Sequence, residues 1–291
     1  MSHLPQGLLP TRHPDTHKGD VGRVVVVAGS VGLTGAAALC SEAALRAGAG
    51  LVTLALPKSL NDLMAVKLTE VMTTPLPETK GRSLSLSALP ELVSLLDRAD
   101  AAAIGPGLSQ HPQTKQLVRQ LLPRVVKPCV VDADGLNALA EDVDLLKRRD
   151  VPAVLTPHPG EMGRMIRLSA GDVQRDRERI ASEFAKKYRV IVALKGHRTI
   201  VANVDGECYV NDTGNPGMAS GGMGDVLTGL IAGLLGQGLA AFEAARLGVY
   251  LHGLAGDLAA KERGQVGLIA SDLLARIPLA IRQYQQGDSP A

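Results

Sequence analysis

Residues 211–238 read NDTGNPGMASGGMGDVLTGLIAGLLGQG, and the rest of the chain is read outward from them. The stretch opens as a loop holding Gly214, Gly217, Gly221, Gly222 and Gly224, with no charged residue between Asp212 and Asp225. An apolar run over residues 226–235 follows and predicts a helix. Glycines let the backbone turn tightly and approach a ligand closely. The first turn of a helix leaves N–H groups unpaired, and its dipole favours anions. Together these features predict a phosphate seat with Asp225 at its edge. A lone Asp there would ordinarily be read as complementing the helix dipole. Five glycines in the eleven residues ahead of it favour a second reading. In that reading the carboxylate takes a proton from a hydroxyl about to meet a phosphoryl group. Gly229 and Gly233, four apart on one helical face, predict close packing against a neighbouring element. The apolar run is too short to span a bilayer, which takes about 20 residues.

Working toward the N-terminus, residues 23–29 (RVVVVAG) form a continuous β-branched run, the pattern of a strand buried on both faces. The glycine loop 29–35 (GSVGLTG) and a helical stretch over 36–47 follow, so the opening reads as a βαβ unit. The spacing of Gly29, Gly32 and Gly35 is not G-x-G-x-x-G, which argues against a standard dinucleotide fold. Further strands are predicted at 51–56, 101–104, 128–131, 152–155, 190–194 and 200–203, the last pairing with 207–210 as a hairpin across Asp205-Gly206. Residues 71–87 carry two prolines and little periodicity and read as a surface loop. Helices are predicted at 89–96, 115–122, 169–188, 240–260 and 271–285. No repeat, charge block or linker divides the chain, so one domain is expected over residues 1–291, with 1–20 a polar N-terminal extension.

The turns that carry glycines or carboxylates all fall at the C-terminal ends of predicted strands, where ligands sit in open parallel sheets. Ser30–Ala36, Gly105–Gly107, Asp132–Asn137, His158–Glu161, Lys195–Thr199 and Gly221–Asp225 are therefore expected on one rim. Within it, Asp132, Asp134 and Asn137 admit two readings, a helix cap and turn or a ligand or metal contact. His158 on its Pro-flanked turn is suited to capping the helix that follows. His252 is expected to be a packed core histidine, and His111, before Pro112, a helix start.

Composition excludes several classes of function. The 31 basic and 29 acidic residues leave a net charge of +2, so no polyanion-binding field is expected. Aromatics are 2% with no Trp, which removes the stacking platform of single-strand nucleic-acid binders. No nucleic-acid and no membrane partner is expected. Cys40, Cys129 and Cys208 are odd in number and far apart, so a reducing cytoplasm is the simplest location. Residues 1–20 are polar and contain no apolar core of a signal peptide. No G-x-x-x-x-G-K-[ST] occurs, so this is not a P-loop protein, and no His/Cys/carboxylate spacing suits inner-sphere zinc.

The order AGS-x-G-x-x-GA, IGPGL, DADGLN, LTPHPGE, LKGHRT and NPGMASGGMGDVLTG resembles the NAD(P)H-hydrate dehydratase family of the ribokinase-like superfamily, from about residue 17 to residue 272. The resemblance implies an α/β fold, a three-layer sandwich with a mostly parallel central sheet. It implies use of ADP, or ATP in eukaryotes, with Mg²⁺, to dehydrate the S epimer of hydrated NADH or NADPH. The implied chemistry is phosphorylation of the C6 hydroxyl of the damaged ring and loss of phosphate, giving NAD(P)H, AMP and phosphate. Asp225 then takes the hydroxyl proton, and the backbone around Gly222 and Gly224 receives the phosphoryl charge. By position, Ala36, Gly107, His158 and Asp225 resemble the family's contacts to the hydrated nicotinamide. Lys195, Gly196, His197, Arg198, Thr199 and Gly224 resemble its adenine-nucleotide contacts, and Lys195 and Arg198 are expected to meet phosphates. Glu161 stands where the superfamily has the glutamate that orders Mg²⁺ and its waters. The resemblance further implies a homo-oligomer, a tetramer, and functional pairing with an NAD(P)H-hydrate epimerase. That epimerase often occupies the N-terminal half of the same polypeptide. This chain carries no such half, and is expected to be either free-standing or part of a longer protein. A small-molecule kinase of the same superfamily would share the base and the anion hole. His158 in place of that superfamily's Asn argues against it, and an intact Asp225 argues against a non-enzymatic nucleotide sensor.

Overall fold

A computed structural model describes residues 4, 6–151 and 153–287. The chain begins β1 (Arg23–Val27), α1 (Thr34–Arg46), β2 (Leu51–Pro57), α2 (Asn61–Lys67), β3 (Met72–Leu76), α3 (Leu89–Asp97), β4 (Ala101–Ile104) and α4 (Pro112–Leu121). It continues β5 (Cys129–Val131), α5 (Asp134–Leu139), β6 (Ala153–Leu155), α6 (Pro159–Ile166), α7 (Ala170–Arg175) and α8 (Arg177–Tyr188). The last elements are β7 (Ile191–Leu194), β8 (Ile200–Ala202), β9 (Cys208–Val210), α9 (Met223–Gly236), α10 (Ala241–Arg263) and α11 (Ala270–Gln286). Pro152, where the sequence places the start of the strand at 152–155, and residues 1–3 and 5 of the polar extension lie outside the described residues.

The strands form one sheet in the order β3-β2-β1-β4-β5-β6-β7-β8-β9, parallel from β3 to β7 and antiparallel from β7 to β9. Its near-continuous Val, Ile, Leu and Ala composition reflects burial on both faces. Alternate residues of β1 enter different cores: Val24 and Val26 pack with α1, α9, α10 and α11, and Val25 and Val27 with α3, α4, α5 and α8. This is the expected three-layer α/β sandwich.

Helix α9 is apolar nearly all round because it lies between the sheet and α1. A side chain on either of its mid-helix glycines would collide with α1. A Cβ on Gly229 would sit 1.9 Å from the Cys40 carbonyl oxygen, and one on Gly233 2.5 Å from that of Ala44. The predicted close packing is therefore present.

β1 has β2 on one side and β4 on the other, so the order of the parallel strands reverses direction there. In open sheets the crevice outside such a switch point takes the ligand. Here its two lips are tied together. The Gly29 amide donates to the Pro106 carbonyl (2.9 Å) and Ser30 Oγ to the Gly107 carbonyl (2.8 Å).

Two expectations are corrected. Residues 71–87 are not simply a surface loop, since Met72–Leu76 pairs in parallel with β2. Pro75 hides this strand in the sequence, yet it is tolerated because β3 is the sheet edge, where a missing N–H costs no ladder bond. Beyond it, buried Ser83 bonds Thr79 (3.0 Å) and Thr114 (2.9 Å), pinning the segment to α4. The single helix expected over 169–188 is two, broken at Asp176 (φ −143°, ψ 50°). Polar residues satisfy helical periodicity on both sides of the break, so the pattern does not reveal it. The hairpin across Asp205-Gly206 forms as expected, and His111 starts α4 by accepting from the Gln113 amide (3.3 Å).

On an exposed helix, Gly→Ala stabilises by about 1 kcal/mol. At Gly229 the sign reverses. Gly229→Ala is expected to destabilise by about 1–3 kcal/mol, the usual range for overpacking. Urea denaturation checks this, and an unchanged midpoint would show that α1 and α9 separate freely.

Candidate active site

Helix α9 starts at Gly222, whose φ of +90° turns the chain from loop to helix. The turn leaves the Gly222, Met223, Gly224 and Asp225 amides without a protein acceptor among the described residues. They are the orphan donors of a first helical turn. The Asp225 carboxylate shares that turn, and no hydrogen bond within the protein reaches it among the described residues. A helix N-terminus favours an ionised carboxylate. Burial works the other way and dominates. With Asp132, Asp134 and Glu161 adding repulsion and Lys195 opposing them, the Asp225 pKa is pushed up to about 6. A half-buried carboxylate tuned in this way is suited to proton transfer near neutral pH.

Beneath it lies a buried ion network. Asp132, at the end of β5, accepts from Lys195 Nζ (2.7 Å) and from Thr228 Oγ1 of α9 (2.8 Å). Lys195 Nζ is also 3.7 Å from Glu161 Oε2. Burial disfavours the Lys195 ammonium, but Asp132, Glu161 and Asp225 outweigh it, so its pKa is raised above the ordinary lysine value. Next to Asp132, Ala133 has φ 49° and ψ −117°, a strained conformation for a residue with a Cβ. Asp134 and Asn137 hold neighbouring loops. Asp134 accepts from the Ser109 amide (2.8 Å) and Asn137 Oδ1 from Arg164 Nη1 (2.8 Å).

His158 and Glu161 form a reciprocal cap on α6. His158 Nδ1 accepts from the Gly160 and Glu161 amides (3.0 and 3.3 Å), and Glu161 Oε2 from the His158 amide (2.8 Å). The His158 ring remains half exposed.

A cavity of about 450 Å³ opens beside the α9 N-terminus. One wall is Lys195, Gly196, His197, Arg198 and Thr199, and Gly224 borders it. The facing wall is the loop from Asn211 to Ala219, with Val249, His252 and Gly253 of α10 behind. Asp257 of α10 holds that loop by accepting from the Gly214 amide and from Asn215 Nδ2, both at 2.8 Å. His252 is packed, as expected. Its Nε2 donates to the Met223 carbonyl (2.9 Å), and burial first, with Lys195 nearby, lowers its pKa to about 4.

All six residues that resemble nucleotide contacts thus line one cavity, although the Lys195 ammonium is held by Asp132 and the Arg198 guanidinium by Asp212 (3.1 Å). Ala36 and Gly107 meet at the switch-point crevice, where a Cβ on Gly107 would lie 3.2 Å from that of Ala36. Thr228 and Asp257 are not singled out by the sequence. Each acts through a partner far along the chain; Thr228 stands in the GMGDVLTG motif, but nothing in that motif points to its partner Asp132.

Comparison with known proteins gives this geometry a family. A family model described as NAD(P)H-hydrate dehydratase matches residues 24–279. The chain belongs to the NAD(P)H-hydrate dehydratase family. It is 53% identical over 278 residues to a bifunctional NAD(P)H-hydrate repair enzyme Nnr from Moorella thermoacetica, covering 96% of this chain and 52% of that protein. The chain spans about half the length of the curated relatives it matches. Among solved structures it resembles the ADP/ATP-dependent NAD(P)H-hydrate dehydratase of Bacillus subtilis, with a TM-score of 0.81, 32% identity, and 95% and 94% coverage of the two chains. A ribokinase-like superfamily protein from Enterococcus faecalis matches with a TM-score of 0.82 at 28% identity, covering 96% and 93%. The dehydratase family and the ribokinase-like fold are thus the ones that the motifs implied. No helix among the described residues is long and apolar enough to cross a membrane.

The shifted carboxylate in this dehydratase-family site has a consequence for stability. Asp225 has a folded pKa of about 6 against 3.8 for an ordinary aspartate, so the folded state keeps a proton that the unfolded chain releases. The stability this brings is complete below the unfolded pKa and is lost as pH rises through about 6. Asp225→Asn is therefore expected to stabilise by on the order of 2 kcal/mol at about pH 7.5 and to change little at about pH 4. Urea melts at the two pH values check it, and an equal effect at both would contradict the shift.

Proposed function

We propose that the chain is the catalytic unit of an ADP-dependent (S)-NAD(P)H-hydrate dehydratase, which repairs hydrated NADH and NADPH. The observation that carries the proposal is the position of Asp225. It is a carboxylate with a raised pKa at the amide-rich start of α9, next to both the cavity and the switch-point crevice. The nicotinamide end of the substrate is assigned to the crevice of Ala36 and Gly107, with His158 on the same rim. The nucleotide is assigned to the cavity of Lys195–Thr199, its terminal phosphate directed to the start of α9. Asp225 takes the proton of the C6 hydroxyl as the oxygen attacks phosphorus. The amides of Gly222, Met223 and Gly224 receive charge developing on the phosphoryl oxygens. Elimination of the new phosphate ester gives NAD(P)H and inorganic phosphate, leaving AMP from the donor.

The Bacillus subtilis relative was co-crystallised with ATP/Mg²⁺, which supports Mg²⁺ here. That ion usually takes one or two carboxylates, waters and substrate phosphates rather than a protein cage. The donor set fits this description. Glu161 is buried with one oxygen engaged by its own cap, and no group of three His, Cys, Asp or Glu side chains suited to a metal occurs among the described residues. Glu161 would act on the ion through water. When bound, the ion neutralises charge on the transferring phosphoryl group. The bifunctional naming of the relatives supports pairing with an epimerase that supplies the S form.

The proposal is tested with hydrated NADH, ADP and Mg²⁺, followed at the absorbance of the reduced nicotinamide. Absorbance is expected to return in proportion to ADP consumed, and no return would overturn the assignment. Asp225→Asn should leave ADP affinity nearly unchanged and lower turnover by about 10²–10⁴-fold, the worth of a positioned general base. Near wild-type turnover would remove Asp225 from the mechanism. In the parent protein kcat/KM should rise with pH through about 6, since only the ionised carboxylate accepts a proton.

A further inference from the structure

The wall of the cavity formed by residues 195–199 is held from outside by a residue that does not line the cavity. Arg177 is the first residue of α8, delivered there by the helix break at Asp176. Its Nη1 donates to the His197 carbonyl (2.6 Å), and its Nη2 to the carbonyls of Leu194 (2.9 Å) and Arg198 (3.3 Å). The guanidinium also covers Gly196, which has a φ of +145°, and a Cβ on Gly196 would lie 3.1 Å from Arg177 Cζ. One rigid planar cation thus fixes three carbonyls of the five-residue segment 194–198 and fills the space that the missing side chain leaves.

We infer that Arg177 is a positioning residue for the adenine-nucleotide site, setting the conformation of residues 194–198 before the nucleotide arrives. This rests on the reading of the cavity as the nucleotide site. The apolar face of α8 (Ile180, Ala181, Phe184, Ala185 and Tyr188) packs the helix onto the sheet, and Arg177 is not part of it. Its hydrogen bonds end on Leu194, the last residue of β7, and on the loop that follows, so its contribution goes to the order of that segment rather than to the seating of α8. The carbonyls are neutral, and no partner's charge is lost if the cation goes. Lysine is a poor substitute, because its ammonium is a point donor on a flexible stem and cannot reproduce the planar fork.

Arg177→Lys keeps the charge and removes the fork, and Arg177→Ala removes both. Two readouts are taken on the full chain, hydrogen–deuterium exchange of residues 195–199 and ADP affinity by calorimetry. Both variants are expected to raise exchange in that segment while the rest of α8 and β7 stay protected. ADP affinity is expected to fall at least about tenfold, in keeping with the sensitivity of bound geometry to small misplacements. At saturating ADP, kcat for hydrated NADH should remain near the parent value. Unchanged loop exchange, or a loosened loop with unchanged ADP affinity, would overturn the inference. So would exchange that rises throughout α8 and β7 in both variants, since Arg177 would then be holding the fold. A parent protein that binds no ADP contradicts the nucleotide reading itself, and is distinguished because the exchange measurement needs no ligand.

Discussion

Helix α9 lies directly against α1 because two of its residues have no side chain. Gly229 and Gly233 let its backbone approach the Cys40 and Ala44 carbonyls of α1 to distances that exclude a Cβ. The two helices and the sheet then behave as one packed body, in which interiors transmit displacement rather than absorb it. The start of α9 is fixed by the same packing. Its free amides and Asp225 are therefore held beside the switch point between β1 and β4, without a mobile loop to set their place. Preorganised donors of this kind act on charge without reorganising at the moment of reaction.

The charges around that helix start oppose one another. Asp132, Glu161 and Asp225 share a mostly buried region with one ammonium, that of Lys195. Lys195 is bonded to Asp132 and near Glu161, and Asp132 is also bonded to Thr228. Asp225 is left without a hydrogen bond among the described residues and with a pKa of about 6. The arrangement costs stability at neutral pH, as does the strained Ala133 beside Asp132. Local destabilisation of this sort is common where a site is shaped for chemistry and the surrounding structure over-determines it. The capping box of His158 and Glu161 belongs to the same logic. It satisfies the start of α6 while holding Glu161 within reach of Lys195.

Much of this was legible in the sequence, for local reasons. The Val-rich and Ala-rich strands, the glycine turns after them and the apolar run of α9 are signals that a short window contains. So is the DG turn between β8 and β9. The family motifs also mark residues 195–199 and Gly224, which line one cavity, and Ala36 and Gly107, which meet at the switch point. What escaped was non-local or disguised. β3 carries Pro75, which is unremarkable at an edge and misleading in a string of letters. The break at Asp176 sits in polar sequence that suits either one helix or two. The partners of Asp132 stand 63 and 96 residues away, and no spacing rule connects them. Arg177 and Asp257 support the cavity walls through backbone and amide groups, which leave no trace in residue type.

The central claim is that the phosphoryl group is transferred only to be eliminated. The ring nitrogen of hydrated NADH pushes electrons toward C6, so a phosphate there leaves and the conjugation of the reduced ring is recovered. A simple alcohol has no such push, and its phosphate ester would persist. A superfamily kinase would share Asp225 and the α9 amides, so replacing the base does not separate the two activities. Phosphorus NMR of a completed reaction with hydrated NADH, ADP and Mg²⁺ does. The account predicts inorganic phosphate and intact NADH in equal amounts, with no lasting phosphomonoester beyond the AMP left by the donor. A stable new phosphomonoester resonance without free phosphate would contradict it.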